Sequence, residues 1–312
     1  MNPFAENDPC PCESGLAVRD CCAPRSFVPP PVRTCPQKAR TGLRVARCYA
    51  QLLRDCGGKV SAEHAIARQI SSTMGNGPIE RVLSNGRHVK AMVGTAGRKI
   101  LCQRHNSSLS PLDTVGRRFV QAVLEHKRRA YENISGDVHV LFNGYDVERW
   151  MLKVLCASTH DQPISRTHHC TTPWRVPRLW SDILFHGARF PPGAGLYVPK
   201  VRRNRMPNGI MTAVVTGIEY QHRNGVPLLG TGQMSVLGIS LSVYGKDMDL
   251  LMSRPIERDM YHFRVRQWRT TRMPNDPCNR CIHLGWPDNP PTFAGKTVSS
   301  GREEPQDPLL RC

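Results

Sequence analysis

Residues 101–113 read L-C-Q-R-H-N-S-S-L-S-P-L-D and place a cysteine and a histidine, two residue types that bind zinc, directly before a predicted helix. The helix is predicted from Pro111 to Glu132, because apolar side chains recur there at spacings of three or four residues, with Arg and Lys opposite them. The residues on its apolar face are Leu112, Val115, Phe119, Val123 and Leu124.

The composition limits the classes of function. At 312 residues the chain is long enough for one large or two ordinary domains with an apolar core. Its 43 Lys and Arg against 25 Asp and Glu give a formal net charge of +18, which favours a polyanionic partner such as nucleic acid. An Arg-rich surface encoded by a GC-rich gene would produce the same excess, so that alternative stays open.

The expected location is the cytoplasm. The N-terminus lacks a charged region followed by an apolar run, so no signal peptide is expected. No stretch reaches the roughly 18 apolar residues of a membrane helix, so no membrane partner is expected. The 13 cysteines lie mostly in close groups, and their number is odd, which favours metal binding in a reducing compartment over disulfides.

The tightest cysteine group is C-P-C-E-S-G followed by C-C, with Cys10, Cys12, Cys21 and Cys22. Two thiolate pairs joined by a tight turn can close on Zn²⁺, which takes four soft ligands in a tetrahedron. Such a short segment has almost no core, so the metal would supply its folding free energy, on the order of 10 kcal/mol. The alternative is a chance group of exposed thiols.

This group resembles the SEC-C motif, which occurs for example at the end of the bacterial secretion ATPase. The resemblance covers residues 10–22 and matches at every cysteine. It implies a zinc knuckle in a bacterial protein that docks protein or nucleic acid and does not catalyse a reaction. Glu13 stands where the family usually has glycine, so a positive φ there would strain the backbone.

A second, dispersed group begins with Cys48 and Cys56, continues with Glu63-His64 and ends in the 101–113 box. It resembles the HNH nucleases, whose ββα-metal fold has an acidic-His pair at the end of one strand and a Cys/His box at the start of a helix. The resemblance implies that a hairpin brings the two halves together.

The HNH resemblance implies one zinc site. Cys102 and His105 fall on zinc-knuckle positions of the box. Cys48 and Cys56 would complete a structural Cys₃His site with them. These two cysteines are eight positions apart, where the family has C-x-x-C.

The same resemblance implies hydrolysis of a nucleic-acid phosphodiester by an HNH-type endonuclease. Glu63 matches the acidic metal ligand, His64 the general base and Asn106 the final ligand position. A divalent ion, Mg²⁺ or Mn²⁺, would stabilise charge on the phosphate while a neutral imidazole draws a proton from water.

Simpler interpretations of these residues stay open. Glu63-His64 alone would be a surface pair on an ordinary helix, and Asn106 alone could be a helix N-cap. The middle asparagine of the family has no counterpart in this chain. A non-catalytic zinc scaffold that docks protein or nucleic acid is therefore the alternative function.

Other elements are predicted from periodicity and turn residues. Residues 42–56 have the apolar spacing of a helix, and residues 87–101 are typical of a β-hairpin. Residues 137–142 are predicted to form a strand, followed by a turn and a helix capped near Asp146. Alternating and β-branched runs farther on predict an antiparallel layer.

A third group, Cys278, Cys281 and His283, has knuckle spacing but no second pair nearby. His168, His169 and Cys170 could supply further ligands from a distance. A loop with free thiols is the alternative.

The predicted fold is α+β, with an N-terminal zinc knuckle, an HNH-like ββα-metal centre with a long helix, and a mainly antiparallel β-rich C-terminal region. The predicted segments are the knuckle at 1–23, a Pro-rich linker at 24–41, the HNH-like domain at 42–135, the β-rich domain at 136–286 and a disordered tail at 287–312. Zinc is the expected structural cofactor, and nucleic acid is the expected partner, with a protein partner for the knuckle. No oligomeric state is predicted.

Overall fold

The computed structural model describes residues 5–25, 27–64, 78–82, 88–92, 97–136, 138–160, 175–190, 196–199, 215–223, 226–236, 239–244, 261–262, 267–269 and 280–287. Cys278, residues 168–170 and the predicted tail beyond residue 287 lie outside these ranges. Within the ranges, no helix combines the length and the apolar character that a membrane crossing requires.

The chain divides into two compact units. The first comprises Met1–Val32, Arg118–Val147 and Val265–Pro308, and the second comprises Arg33–Arg117, Glu148–Arg264 and Leu309–Cys312. The boundary after Val32 falls inside the segment predicted as a linker at 24–41. The five consecutive segments proposed from the sequence stay a prediction.

Four strands lie in the second unit: β1 (Val60–His64), β2 (Pro78–Val82), β3 (His88–Met92) and β4 (Gly97–Cys102). β1 pairs antiparallel with β4, and β2 pairs antiparallel with β3. The hairpin predicted over 87–101 is therefore wrong, since β3 and β4 each pair with a different strand. An alternating pattern predicts strands, but it does not specify their partners.

Helix α1 (Gln103–Ser108) follows β4 without a loop, which completes a ββα arrangement. The first N–H groups of a helix have no partner inside it. In α1 the N–H groups of Gln103 and Arg104 donate to the carbonyl oxygens of Lys59 and Gly57, at 2.9 and 3.1 Å. The loop before β1 thus caps the helix after β4.

The helix predicted over 42–56 is wrong, because only Gln51–Leu53 form a single 3₁₀ turn. Eight residues of α-helix would separate Cys48 and Cys56 by about 12 Å. Instead the chain bends, and the N–H group of Cys56 donates to the carbonyl of Leu43 at 3.1 Å. The thiols of Cys48 and Cys56 therefore lie close together.

Helix α2 (Ser110–Tyr131) confirms the long helix predicted from Pro111. Leu112, Val115, Phe119 and Val123 are buried as predicted, and Leu124 is half-buried. Strand β5 (Val138–Asn143) and helices α3 (Gly144–Thr159) and α4 (Arg178–His186) follow.

The N-terminus of α3 is capped by Asn143 and not, as predicted, near Asp146. The Oδ1 atom of Asn143 accepts a hydrogen bond from the N–H group of Tyr145 at 2.9 Å, which satisfies one of the helix's free donors. Asp146 instead accepts the N–H group of Val32 at 3.0 Å.

Later strands form two further sheets: β6 (Leu196–Pro199), β7 (Val215–Arg223), β8 (Val226–Val236), β9 (Ile239–Tyr244), β10 (Tyr261–His262), β11 (Gln267–Arg269) and β12 (Arg280–Gly285). An antiparallel sheet in the second unit has the order β10-β6-β9-β8-β7. A three-stranded sheet in the first unit has the order β11-β12-β5, and its β12–β5 pair is parallel. Mixed helices and small sheets agree with the predicted α+β class, but the β-rich region includes one parallel pair.

Candidate metal centres

The first centre is formed by the thiols of Cys10, Cys12, Cys21 and Cys22, which are all buried and lie within 4.8 Å of one another. The Sγ atom of Cys21 lies 3.5 Å from that of Cys12 and 3.7 Å from that of Cys22. A regular tetrahedron with Zn–S bonds of about 2.3 Å has S–S edges of about 3.8 Å. The spacing of these sulfur atoms is thus compatible with zinc.

The segment that supplies the first centre has few apolar residues of its own. Hydrogen bonds within short turns fix its backbone instead. The N–H group of Cys10 donates to the carbonyl of Leu16 at 2.8 Å, and that of Glu13 donates to the carbonyl of Cys10 at 2.9 Å. Glu13 has a φ of 59°, so a side chain occupies a left-handed position that favours glycine. Arg118 of α2 donates to the Glu13 carboxylate at 2.6 Å and to the carbonyl of Cys12 at 2.7 Å.

Three thiols of the first centre, those of Cys10, Cys12 and Cys22, have shifted pKa values. A hydrogen bond from Cys22 lowers the pKa of Cys12 to about 4, whereas burial raises the pKa of Cys10 to about 11. The pKa of Cys22 is raised far above its ordinary value, because its thiol donates to Cys12. The protein groups thus stabilise the thiolate of Cys12, and a bound dication would stabilise those of Cys10 and Cys22, with release of their protons.

The second centre is formed by Cys48, Cys56, Cys102 and His105, which are also all buried and within 4.8 Å of one another. The Nδ1 atom of His105 lies 3.5 Å from Sγ of Cys48 and 3.2 Å from Sγ of Cys102. Tetrahedral zinc with Zn–N and Zn–S bonds of about 2.0 and 2.3 Å has S–N edges of about 3.5 Å. The fold therefore brings together all four residues of the predicted Cys₃His set.

A tight contact between the loop before β1 and helix α1 shapes the second centre. The N–H group of Gly57 donates to Sγ of Cys102 at 3.4 Å, which favours a thiolate there. Gly58 has a φ of +71°, and a Cβ atom on it would lie 2.9 Å from Cβ of Gln103. Only glycine fits this approach without a shift of the helix.

Arg104 of α1 holds the outer part of the same loop. Its guanidinium lies 3.1 Å from the carboxylate of the buried Asp55. It also donates to the carbonyl oxygens of Gln37 and Lys38, at 2.6 and 3.1 Å. Asp55 in turn accepts the N–H group of Thr41 at 3.1 Å, so the Arg104–Asp55 ion pair fixes residues on both sides of Cys48.

Protonation in the second centre follows the same pattern as in the first. A hydrogen bond from Cys48 lowers the pKa of Cys102, and the pKa of Cys48 is raised in return. The pKa of Cys56 is raised to about 11, because its thiol also donates to Cys102. The ring of His105 packs against Phe185, with centroids 4.6 Å apart.

Glu63, predicted to be a catalytic metal ligand, is a buried partner of Lys153. Its Oε1 atom lies 2.7 Å from Nζ of Lys153, which also contacts the carboxylate of Asp113. Burial raises the pKa of Glu63 although the Lys153 ammonium lowers it. For Lys153, burial lowers the pKa, but the charges of Glu63 and Asp113 outweigh it and the net pKa is raised.

His64 and Asn106, the other two residues predicted to be catalytic, lie on β1 and α1. His64 is half-buried, and because neighbouring side chains alternate along a strand it lies on the opposite face of β1 from Glu63. The Nδ2 atom of Asn106 donates to the carbonyl of Ala62 at 3.3 Å. The helical alternative for Glu63-His64 is therefore wrong, as is the N-cap alternative for Asn106, since α1 begins at Gln103.

A third group joins Cys281 and His283 to His139, a residue that the sequence did not single out. The three meet only through the β12–β5 pairing, and no local pattern around His139 indicates it. Cys35 and Cys156 belong to none of the groups, and the sequence predicts an ordinary thiol at each. Cys156 is a buried free thiol as predicted, whereas the prediction for Cys35 is wrong, because Cys35 is disulfide-bonded.

The first two centres have the ligand chemistry of structural zinc sites, in which four protein groups close the coordination sphere. Comparison of the chain with protein-family models, with curated proteins and with solved structures finds no match. The likeness to SEC-C and HNH proteins thus rests on short motifs, and the case for metal binding rests on the converging Cys and His side chains.

Proposed function

We propose that the protein uses zinc to fix a basic surface that binds nucleic acid, and that it does not cleave the bound strand. The observation that carries this proposal is the charge of residues 33–59, the segment that supplies Cys48 and Cys56. Its one carboxylate, Asp55, is buried against Arg104. Its cationic side chains are all exposed: Arg33, Lys38, Arg40, Arg44, Arg47, Arg54 and Lys59.

Zinc would set the shape of this surface, because the segment has little regular structure. A 3₁₀ turn at Gln51–Leu53 is its one helical element, and Tyr49 bonds to β4 through the carbonyl of Ile100 at 2.9 Å. Exposed Lys and Arg side chains neutralise phosphates whatever the base sequence. We therefore expect binding that is weakly sequence-specific and strongly salt-dependent.

The burial of Glu63 supports binding without hydrolysis. A carboxylate that ligates a catalytic divalent ion must face the open site where substrate and water bind. The carboxylate of Glu63 is 4% exposed and paired with Lys153. If the Glu63 carboxylate turned away to bind a metal ion, the buried ammonium of Lys153 would lose one of its partners. That loss would destabilise the fold.

Fluorescence anisotropy with a labelled DNA duplex and a labelled RNA tests the proposal. We expect Arg44→Gln/Arg47→Gln to weaken binding about tenfold and to reduce the slope of log K against log salt by about 2. The matched control Arg175→Gln/Arg178→Gln removes the same charge from exposed positions elsewhere and should change the affinity much less. Equal losses in both variants would show that binding depends on net charge alone and would contradict the proposal.

Metal-dependent phosphodiester hydrolysis is the second candidate, and the positions of His64 and Asn106 favour it. The Asn106 amide of α1 donates to the carbonyl of Ala62 on β1, the strand that also carries His64, so both residues belong to the ββα arrangement. Plasmid DNA incubated with the protein and Mg²⁺ or Mn²⁺ separates the candidates. Nicking that His64→Ala abolishes would establish hydrolysis and overturn the first proposal.

A further inference from the structure

We propose that His139, Cys281 and His283 form a third zinc site, which we call the third centre. Each residue offers one ligand atom, and these atoms lie within 4.8 Å of one another. Cys281 and His283 are fully buried, and His139 is half-buried. All three belong to the sheet of the first unit.

The strand pairing fixes the three side chains on one face. Cys281 and His283 are two positions apart on β12, and alternate residues of a strand point to the same side. In the parallel register of β12 and β5, Cys281 lies directly opposite His139. Paired residues on neighbouring strands also share a face. The convergence is therefore a consequence of backbone pairing, and a shift of one residue in register would abolish it.

The contact between the two histidines fits a metal site. The Nδ1 atom of His139 lies 2.8 Å from Nε2 of His283, and the ring planes differ by 23°. Without a metal, one of these nitrogens must carry a proton that it shares with the other. Tetrahedral zinc with Zn–N bonds of about 2.0 Å has an N–N edge of about 3.3 Å, so replacing that proton by zinc requires a widening of about half an ångström.

The donor set selects the metal. Two imidazoles and one thiolate suit zinc and the later first-row metals, whereas Mg²⁺ and Ca²⁺ prefer oxygen. The thiol of Cys281 is buried and would lose its proton to the metal on binding. Zinc is the commonest ion that takes mixed Cys and His ligands in proteins.

Metal analysis of the full-length protein, purified without chelators, tests the proposal. We expect three zinc ions per chain, one for each centre, and two in Cys281→Ser and in His139→Phe, which retains a ring without its nitrogens. The control Cys156→Ser removes a buried thiol outside every centre and should retain three. Cys12→Ser and Cys102→Ser should each lose one zinc of their own, which separates the third centre from the other two. A wild-type count of two, or an unchanged count in His139→Phe, would overturn the proposal.

Cobalt spectroscopy keeps the test decisive if Cys281→Ser does not fold. The protein loaded with Co²⁺ should show the absorption bands of tetrahedral cobalt. His139→Phe should lose the absorption that cobalt at the third centre contributes, while the thiolate–cobalt bands of the first two centres persist. If the folded His139→Phe variant gave the same spectrum as the wild type, the proposed third centre would be contradicted.

Discussion

Nζ of Lys153 lies 2.7 Å from Oε1 of Glu63, and both side chains are buried, at 1% and 4% exposure. This ion pair joins α3 to β1 within the second unit. It places the acidic residue of the Glu63-His64 pair in the interior, where a cation of the same chain holds its carboxylate.

Replacing Lys153 tests the structural role of this pair. We expect Lys153→Met to lower the free energy of unfolding by about 3–5 kcal/mol, because it leaves the buried carboxylate of Glu63 without its cation. Denaturant unfolding measures the loss. Arg128→Met is the control, since Arg128 pairs with Glu125 and Glu132 on an exposed face of α2, and it should change stability far less. Similar losses in both variants would contradict a buried role for Lys153.

The pH dependence of the same variant gives a second prediction. The folded-state pKa of Lys153 lies above its ordinary value of 10.5. The stabilisation from the ammonium is therefore fully present below pH 10.5 and is lost as the pH rises through the folded-state pKa. The stability difference between wild type and Lys153→Met should narrow above pH 10.5. A difference that stays constant or widens there would be inconsistent with the raised pKa.

Gly58 and Gly42 form a matched pair for the contact at the second centre. Their φ angles are +71° and +72°, but a Cβ atom meets Gln103 at 2.9 Å only at Gly58, and nothing within 4 Å at Gly42. Gly42→Ala should cost about 1–2 kcal/mol from the left-handed backbone alone. Gly58→Ala should lower the free energy of unfolding by clearly more than Gly42→Ala does. It should also weaken zinc binding at the second centre, which titration with a chelator would measure. Equal effects would mean that the close approach is unimportant.

Glu13 provides a similar comparison at the first centre. Its φ of 59° favours glycine, while its carboxylate pairs with Arg118. Glu13→Ala loses the ion pair and retains the strain, whereas Glu13→Gly loses the ion pair and relieves it. We expect the glycine variant to be more stable than the alanine variant by about 1 kcal/mol in thermal unfolding. The opposite order would show that the turn does not need a left-handed residue.

Short-range features could be predicted from the sequence. The α2 helix follows from its apolar spacing, and the first centre follows from cysteines within a few positions of one another. The second centre could be predicted through the resemblance of its box to a known motif. The conformation of the loop at 42–56 could not be predicted. The apolar spacing there indicates a helix, whereas the tertiary contacts of Cys48 and Cys56 bend the chain.

Long-range relationships could not be predicted. Lys153 is far from Glu63 along the chain, and no pattern around either residue indicates their pairing. His139 likewise meets Cys281 only because β12 pairs in parallel with β5. The partner of a strand and the neighbours of a buried charge depend on the whole fold, and a single sequence gives no direct measure of them.

Anomalous diffraction at the zinc absorption edge, from crystals grown without added metal, tests the central claim most directly. We expect one peak among the four sulfur atoms of Cys10, Cys12, Cys21 and Cys22, and another among Cys48, Cys56, Cys102 and His105. A third peak beside His139 would test the third centre separately. Crystals in which the first two groups hold no zinc, or in which their thiols are joined as disulfides, would contradict the account.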